Sequence, residues 1–361
     1  MISRLASFTS KKIDFDTVTP PTPSPPKPAL HPLSRWRAPI AIGVGLLYGL
    51  LTRLSWGYEP LQQIFGTPVS GSYLFLTPFV LGILVALVGM AISPSRNMLI
   101  WGLSMPLLAV FIGSIAAFAT GLEASFCVIV AFPILAAMAV LGGLLGALMM
   151  RGMGSRRTYF LTPGFIFLPY LVAPFEQLLQ LPPKEISITD TIEVDASPSE
   201  IWNEIASVHE IQPQEIRNSW IYQLGFPKPK AATLDYEGVG GKRVATFERD
   251  VSFFEVIEVW SPPETLSFSI EADPAFIPAN AFDEHIIVGG RFYDVLDGCY
   301  RIEPLSSNRC RLHLTSNHRL GSNFNSYAGW WSKVIMKEIQ TTILEVVAKR
   351  AEENSNLVTH R

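Results

Sequence analysis

Residues 330–350 read WWSKVIMKEIQTTILEVVAKR, and the apolar side chains in them recur at helical spacing. Trp331, Ile335, Ile339, Ile343 and Val347 follow one another in steps of four, with Trp330, Val334 and Val346 beside them. Such steps draw one apolar stripe along a helix. Lys333, Lys337, Glu338, Gln340 and Lys349 take the other face. The segment is therefore predicted to be an amphipathic helix, ~30 Å long at the usual rise per residue. A stripe of that length needs a broad apolar partner.

The residues before it supply one. EISITDTIEVD, 185–195, alternates Ile186, Ile188, Ile192 and Val194 onto one face, as a strand does. ASPSEIW follows at 196–202. Ser197 is a natural N-cap, Pro198 suits the first helical position and Glu200 completes a capping box. A helix over 199–208 is predicted, with Ile201, Trp202 and Ile205 inward. Further strands are predicted at 231–236, 242–249, 253–260, 265–271, 290–302 and 310–318, separated by turn-type breaks such as Gly238–Gly241. Strand, helix, antiparallel strands and a long final helix make an α+β domain over 185–353.

The segments 192–202, 254–268, 298–304 (GCYRIEP) and 330–352 resemble the START-like superfamily, also called SRPBCC or the polyketide cyclase/dehydrase and lipid-transport group. The resemblance covers roughly the last half of the chain. It implies a helix-grip fold, in which a curved antiparallel sheet wraps the final helix and encloses an apolar cavity. Members of that group hold sterols, lipids, polyketides or aromatic hormones there. On this reading the candidate ligand cavity is lined by Phe254, Trp260, Phe268, Phe292, Tyr300 and Leu314, opposite Trp331, Ile335 and Ile339. A solid core is the alternative for the same residues.

Two polar residues share those strand faces: Asp294 by parity with Phe292, and His318 by parity with Leu314. Buried, they would need partners and could orient a ligand or move a proton. The simpler expectation is that both lie near strand ends and face water. Glu255 and Glu258 read as solvated. Asp283, Glu284 and His285 lack the spacing of a metal set, and 273–288 is either a lid or a surface loop. Cys299 and Cys310 are predicted not to face each other across their hairpin, hence to be free thiols. No nucleophile motif, phosphate loop, metal set or cofactor site is found. Binding of an apolar ligand, which the resemblance implies, is the expected function. A cyclase- or aromatase-like enzyme using Asp294 or His318, and a non-catalytic partner-binding domain, are the alternatives.

The first half has a different composition. No lysine lies between Lys27 and Lys184, and no aspartate between Asp16 and Asp190. Charges are costly in hydrocarbon, so a membrane region avoids them. With net charge −3 and mean hydropathy +0.28, the chain suits neither nucleic-acid binding nor an ordinary soluble enzyme. Residues 1–37 include PPTPSPPKP and are expected to form a disordered cytoplasmic tail. An all-α transmembrane bundle is predicted over 38–175, with spans at 38–56, 73–92, 98–120, 124–150 and 158–175. The fifth carries Pro163, Pro169 and Pro174, and four spans are the alternative. A linker at 176–184 and a flexible tail at 354–361 complete the chain. Arg53 is expected to snorkel toward an interface. Ala139, Gly142, Gly143, Gly146 and Ala147 mark a close helix contact, within the bundle or between copies in a homo-oligomer. Arg35, Arg37, Arg96, Arg151, Arg156 and Arg157 all fall on one side if the N-terminus is cytoplasmic. The expected location is the cell (inner) membrane, multi-pass, with membrane lipids as partners and the C-terminal domain extracytoplasmic.

Overall fold

The computed structural model describes residues 36–93, 97–179, 181–272 and 288–359. The proline-rich tail, Arg96 and the Asp283–His285 cluster lie outside the described residues.

The first half is helical: α1 (Arg37–Gly57), α2 (Glu59–Phe65), α3 (Thr77–Ile92), α4 (Met105–Ala119), α5 (Ser125–Gly152), α6 (Gly154–Ile166) and α7 (Leu168–Leu178). Short π-helical stretches, Ser72–Leu76 and Leu99–Ser104, lead into α3 and α4. Among the described residues, five continuous helical stretches are long and apolar enough to cross a membrane: Arg37–Gly57, Ser72–Ile92, Leu99–Ala119, Ser125–Gly152 and Arg157–Leu178. The last is α6 followed directly by α7, with Pro163 and Pro174 inside the helices.

The small residues of α5 are used within the chain. A Cβ on Gly142 would sit 1.8 Å from the Phe79 carbonyl oxygen, and one on Gly82 1.9 Å from that of Ala139. Helices α3 and α5 therefore touch backbone to backbone. Gly143 meets Gly102 and Pro106 in the same way. Arg53 does not snorkel. It is buried, and its Nε donates to Glu123 Oε1 at 2.5 Å, joining the end of α1 to the loop between α4 and α5. Trp56 is fully buried and packs on Phe65, Tyr73 and Tyr170.

The second half is a seven-stranded antiparallel sheet: β1 (Lys184–Val194), β2 (Pro229–Leu234), β3 (Lys242–Phe247), β4 (Ser252–Ser261), β5 (Thr265–Glu271), β6 (Tyr293–Ser306) and β7 (Arg309–Leu320), in the order β1-β7-β6-β5-β4-β3-β2. Two short helices, α8 (Pro198–Ala206) and α9 (Trp220–Gln223), connect β1 to β2. Ser197 caps α8 with the reciprocal Glu200 contact its sequence predicts. The sheet curls around α10 (Asn325–Thr359). This helix starts earlier and runs later than its apolar stripe, through most of the expected tail. Helix α7 likewise extends into the expected linker.

At the α8 end the domain is solid. Ile201, Trp202, Ile205, Leu266, Leu312, Leu344, Val347 and Ala351 form one buried cluster, and Trp260 packs on it. Trp330, expected near the stripe, is exposed. Cys299 and Cys310 are free; Cys310 lies opposite Pro304 and Cys299 opposite Thr315.

The domain sits on the end of the bundle opposite Arg37. The Glu176 carboxylate on α7 accepts from the Gly71 and Ser72 amides, both at 2.7 Å, and from Asn323 Nδ2 at 2.8 Å. It thus caps the Ser72–Ile92 stretch and ties it to the β7–α10 turn. The α3–α5 contact gives a direct check. Gly142→Ala should cost about 1–3 kcal/mol through overpacking. Gly152→Ala, with nothing within 4 Å of the added atom, should leave stability unchanged. The thermal unfolding midpoint of the full chain in detergent reads both.

Candidate ligand cavity

Toward the start of α10 the grip is hollow. A cavity of about 310 Å³ lies between the sheet and this half of the helix. Its helix wall is Trp331, Ile335, Ile339 and Ile343, and its sheet wall includes Phe253, Phe268, Ile270, Tyr300 and Leu314. Phe292 lines it too. Of the residues expected there, Phe268, Phe292, Tyr300, Leu314, Trp331, Ile335 and Ile339 are brought together around this space.

Phe254, Trp260, Asp294 and His318 are not part of the lining, and β-bulges explain two of the four, Phe254 and Asp294. On β4 the register shifts between Ile257 and Val259. Counting by twos back from Trp260 then reaches Phe254, but the inward residues before the bulge are Phe253, Glu255 and Ile257. Phe254 faces out, 37% exposed. Trp260 points inward at the solid end, edge-on to Trp202 with ring centres 5.0 Å apart. On β6 the register shifts between Val295 and Asp297. Tyr293 and Val295 therefore face the cavity, and Asp294 turns out to pair with Arg319 at 3.0 Å. One extra residue in a strand swaps every later side chain to the other face.

Strand β7 has no such shift along its inward residues, and His318 faces in, fully buried. It does not meet water as expected. Its Nδ1 lies 3.0 Å from the Tyr293 hydroxyl and its Nε2 2.7 Å from Ser316 Oγ, which in turn accepts from Gln340 Nε2 at 2.8 Å. Tyr293, Ser316 and Gln340 line the cavity, so His318 stands directly behind its wall. Burial pushes its pKa down to about 4, and the imidazole is neutral. Burial also raises the Tyr293 phenol above its ordinary range.

The charges in the wall are Arg243 and Glu255, 3% and 5% exposed. Arg243 Nε donates to Glu255 Oε2 at 2.5 Å, Nη1 donates to the Ile205 carbonyl at 2.7 Å at the end of α8, and the guanidinium lies 4.2 Å from the Phe268 ring centre. Burial raises the Glu255 carboxyl, and Arg243 partly offsets this. The solvated reading of Glu255 is thus corrected. The signal was present in the sequence: Glu255 shares parity with Phe253 and Ile257, and Arg243 with Ala245 and Phe247.

The mouth of the cavity belongs to the bundle. Val69, Phe126, Cys127 and Val130 line it. Phe126 packs edge-on against Phe226 at 4.8 Å, Ser125 Oγ donates to the Leu224 carbonyl at 2.8 Å, and the Tyr327 hydroxyl of α10 donates to the Val130 carbonyl at 2.6 Å. Among the described residues no three His, Cys, Asp or Glu side chains gather as a metal site would need.

No protein-family model and no curated protein sequence matches the chain. Solved structures are similar to its C-terminal half. A norcoclaurine synthase point mutant from Thalictrum flavum, in complex with a transition-state analogue, covers 48% of this chain and 99% of its own, at 12% identity and TM-score 0.31. A protein from Nitrosospira multiformis covers 47% and 99%, at 15% identity and TM-score 0.30. Scores of this size carry no argument about function.

Two outcomes follow from the buried polar groups. Arg243→Met leaves an uncompensated buried carboxyl and should cost about 3–5 kcal/mol, whereas Arg243→Met with Glu255→Leu should recover most of that loss. Denaturant titration of the three proteins checks it. For His318 the folded pKa lies below the unfolded value of about 6.5. Between the two the unfolded chain binds a proton that the folded chain does not, so stability falls as pH drops from about 6.5 to about 4, by on the order of 3 kcal/mol in all. His318→Gln should remove that slope from melting curves recorded across the window.

Proposed function

We propose that this is a multi-pass membrane protein whose C-terminal domain takes up a lipid or similar apolar small molecule in the cavity between the sheet and α10. The observation that carries the reading is the cavity itself: about 310 Å³, walled by apolar side chains, with its mouth on a bundle of apolar helices. Protein interiors pack densely, and hollows of this size are uncommon without an occupant. Moving apolar ligand surface into it is worth about 25 cal/mol per Å². In a mostly apolar wall, Arg243 with Glu255 and Ser316 with Gln340 offer polar anchors.

The five long apolar helices support a five-span topology. Arg37, Arg151 and Arg157 lie at the bundle end away from the domain. By the preference of basic loops for the cytoplasm this orients the N-terminus inward and the domain outward, at the cell membrane. Transport or proton pumping has less support: the charges Arg53 and Glu123 inside the bundle are paired with each other.

Native mass spectrometry of the full chain released from detergent, with organic extraction of the same sample, tests the reading. A bound apolar compound is expected, and Ile339→Trp, which fills the cavity from α10, should abolish it while leaving the melting midpoint near that of the unsubstituted chain. Apo protein that also fails to take up fluorescent lipids overturns the reading.

A further inference from the structure

The bundle contains a second cavity, about 440 Å³, lined by α1, α3, α4 and α5. The two cavities share their boundary. Val69, Phe126, Cys127, Val130, Phe324 and Tyr327 line both. They form a common neck, with the bundle on one side and the grip on the other.

The neck is apolar apart from the Tyr327 hydroxyl and the Cys127 thiol, and that hydroxyl is engaged by the Val130 carbonyl. Polar seams lie around the neck: Ser125 on Leu224, and Asn323 on Glu176. Aromatic pairs flank it, Phe126 with Phe226 and Phe75 with Phe324. These contacts hold the bundle against the side of the grip cavity nearest the start of α10. Leu50 on α1 lines the bundle cavity and is 46% exposed, and Leu47, Leu51 and Leu54 of the same helix are exposed as well.

We propose that the grip cavity loads sideways from the bilayer, through the bundle cavity and this neck, and that the molecule that passes is a membrane lipid threaded by a hydrocarbon chain. This rests on the reading of the grip cavity as a ligand site. A chain following this path meets mostly apolar side chains from leaflet to grip, passing the mutually paired Arg53 and Glu123 in the wall of the bundle cavity, so little apolar surface is exposed to water along the way. A route from the aqueous side would cost that exposure and would first have to part the domain from the bundle. The neck side chains gate the passage; Tyr327, on α10, couples the gate to the helix that walls the site.

The test uses the full chain reconstituted in phosphatidylcholine vesicles that contain a phosphatidylcholine with a diazirine near its chain end. After irradiation, adducts are mapped by mass spectrometry. Adducts are expected at two places: around Leu50 in the bundle, and around Ile335 and Ile339 in the grip. Val130→Trp and Cys127→Trp each narrow the neck. Either should keep the bundle adducts and lose the grip adducts, and a variant that melts as the unsubstituted chain does is the one that decides. Grip adducts undiminished in such a variant overturn the route. So does a chain that carries an extractable ligand yet shows no grip adducts from vesicles. Neither adducts nor extractable ligand means that the grip cavity is not a ligand site, and the proposal falls with that reading.

Discussion

A sheet curled around one helix cannot fill its own interior along the whole length of that helix. Everything else in the domain follows from how the two ends of α10 are treated. Toward its C-terminal half, α8 closes the curl, and Trp202, Leu312, Leu344 and Val347 pack solid. Toward its N-terminal half, among the described residues, the domain supplies only the one-turn α9, which leaves the curl unfilled. The sheet stays open there, and the space remains. The folded domain is held by one end and leaves the other available.

An open apolar end is unfavourable in water, and the chain covers it with the bundle. The cover is specific in its polar contacts. Glu176 bonds the backbone amides at the start of the Ser72–Ile92 stretch and reaches Asn323 just before α10. Tyr327 and Ser125 add side chain-to-backbone bonds across the same junction. These contacts join the helix-forming first half to the N-terminal end of α10, where the two cavities share lining residues. Buried charge is treated alike in both: Arg53 with Glu123 in the bundle, Arg243 with Glu255 in the grip. Each pair removes the cost of an isolated ion while leaving the surrounding wall apolar.

The elements of this protein were legible in the sequence because they depend on local periodicity. The stripe from Trp331 to Val347, the capping box at Ser197, the alternation of β1 and the charge-free stretches before Lys184 each announce an element within a few residues of where it forms. The curled sheet around the last helix follows from their order. Which side chains face the cavity was legible only on strands that keep strict alternation, as β7 does. On β4 and β6 a bulge in each strand broke the count from its far end, so that Phe254 and Asp294 face outward. A bulge is settled by pairing with neighbouring strands, which no local pattern records. The same holds for the pairing of Arg53 with Glu123 and for the neck at Phe126, Val130 and Tyr327. Those residues lie far apart in the chain, and each alone reads as an ordinary apolar or terminal residue. Sequence by itself determined the helices, the strands and the apolar character of the two halves, since these are properties of neighbouring residues. Only the tertiary structure decided that the two halves each hold a cavity and that these share a boundary at Phe126, Val130 and Tyr327, since that depends on which distant surfaces meet.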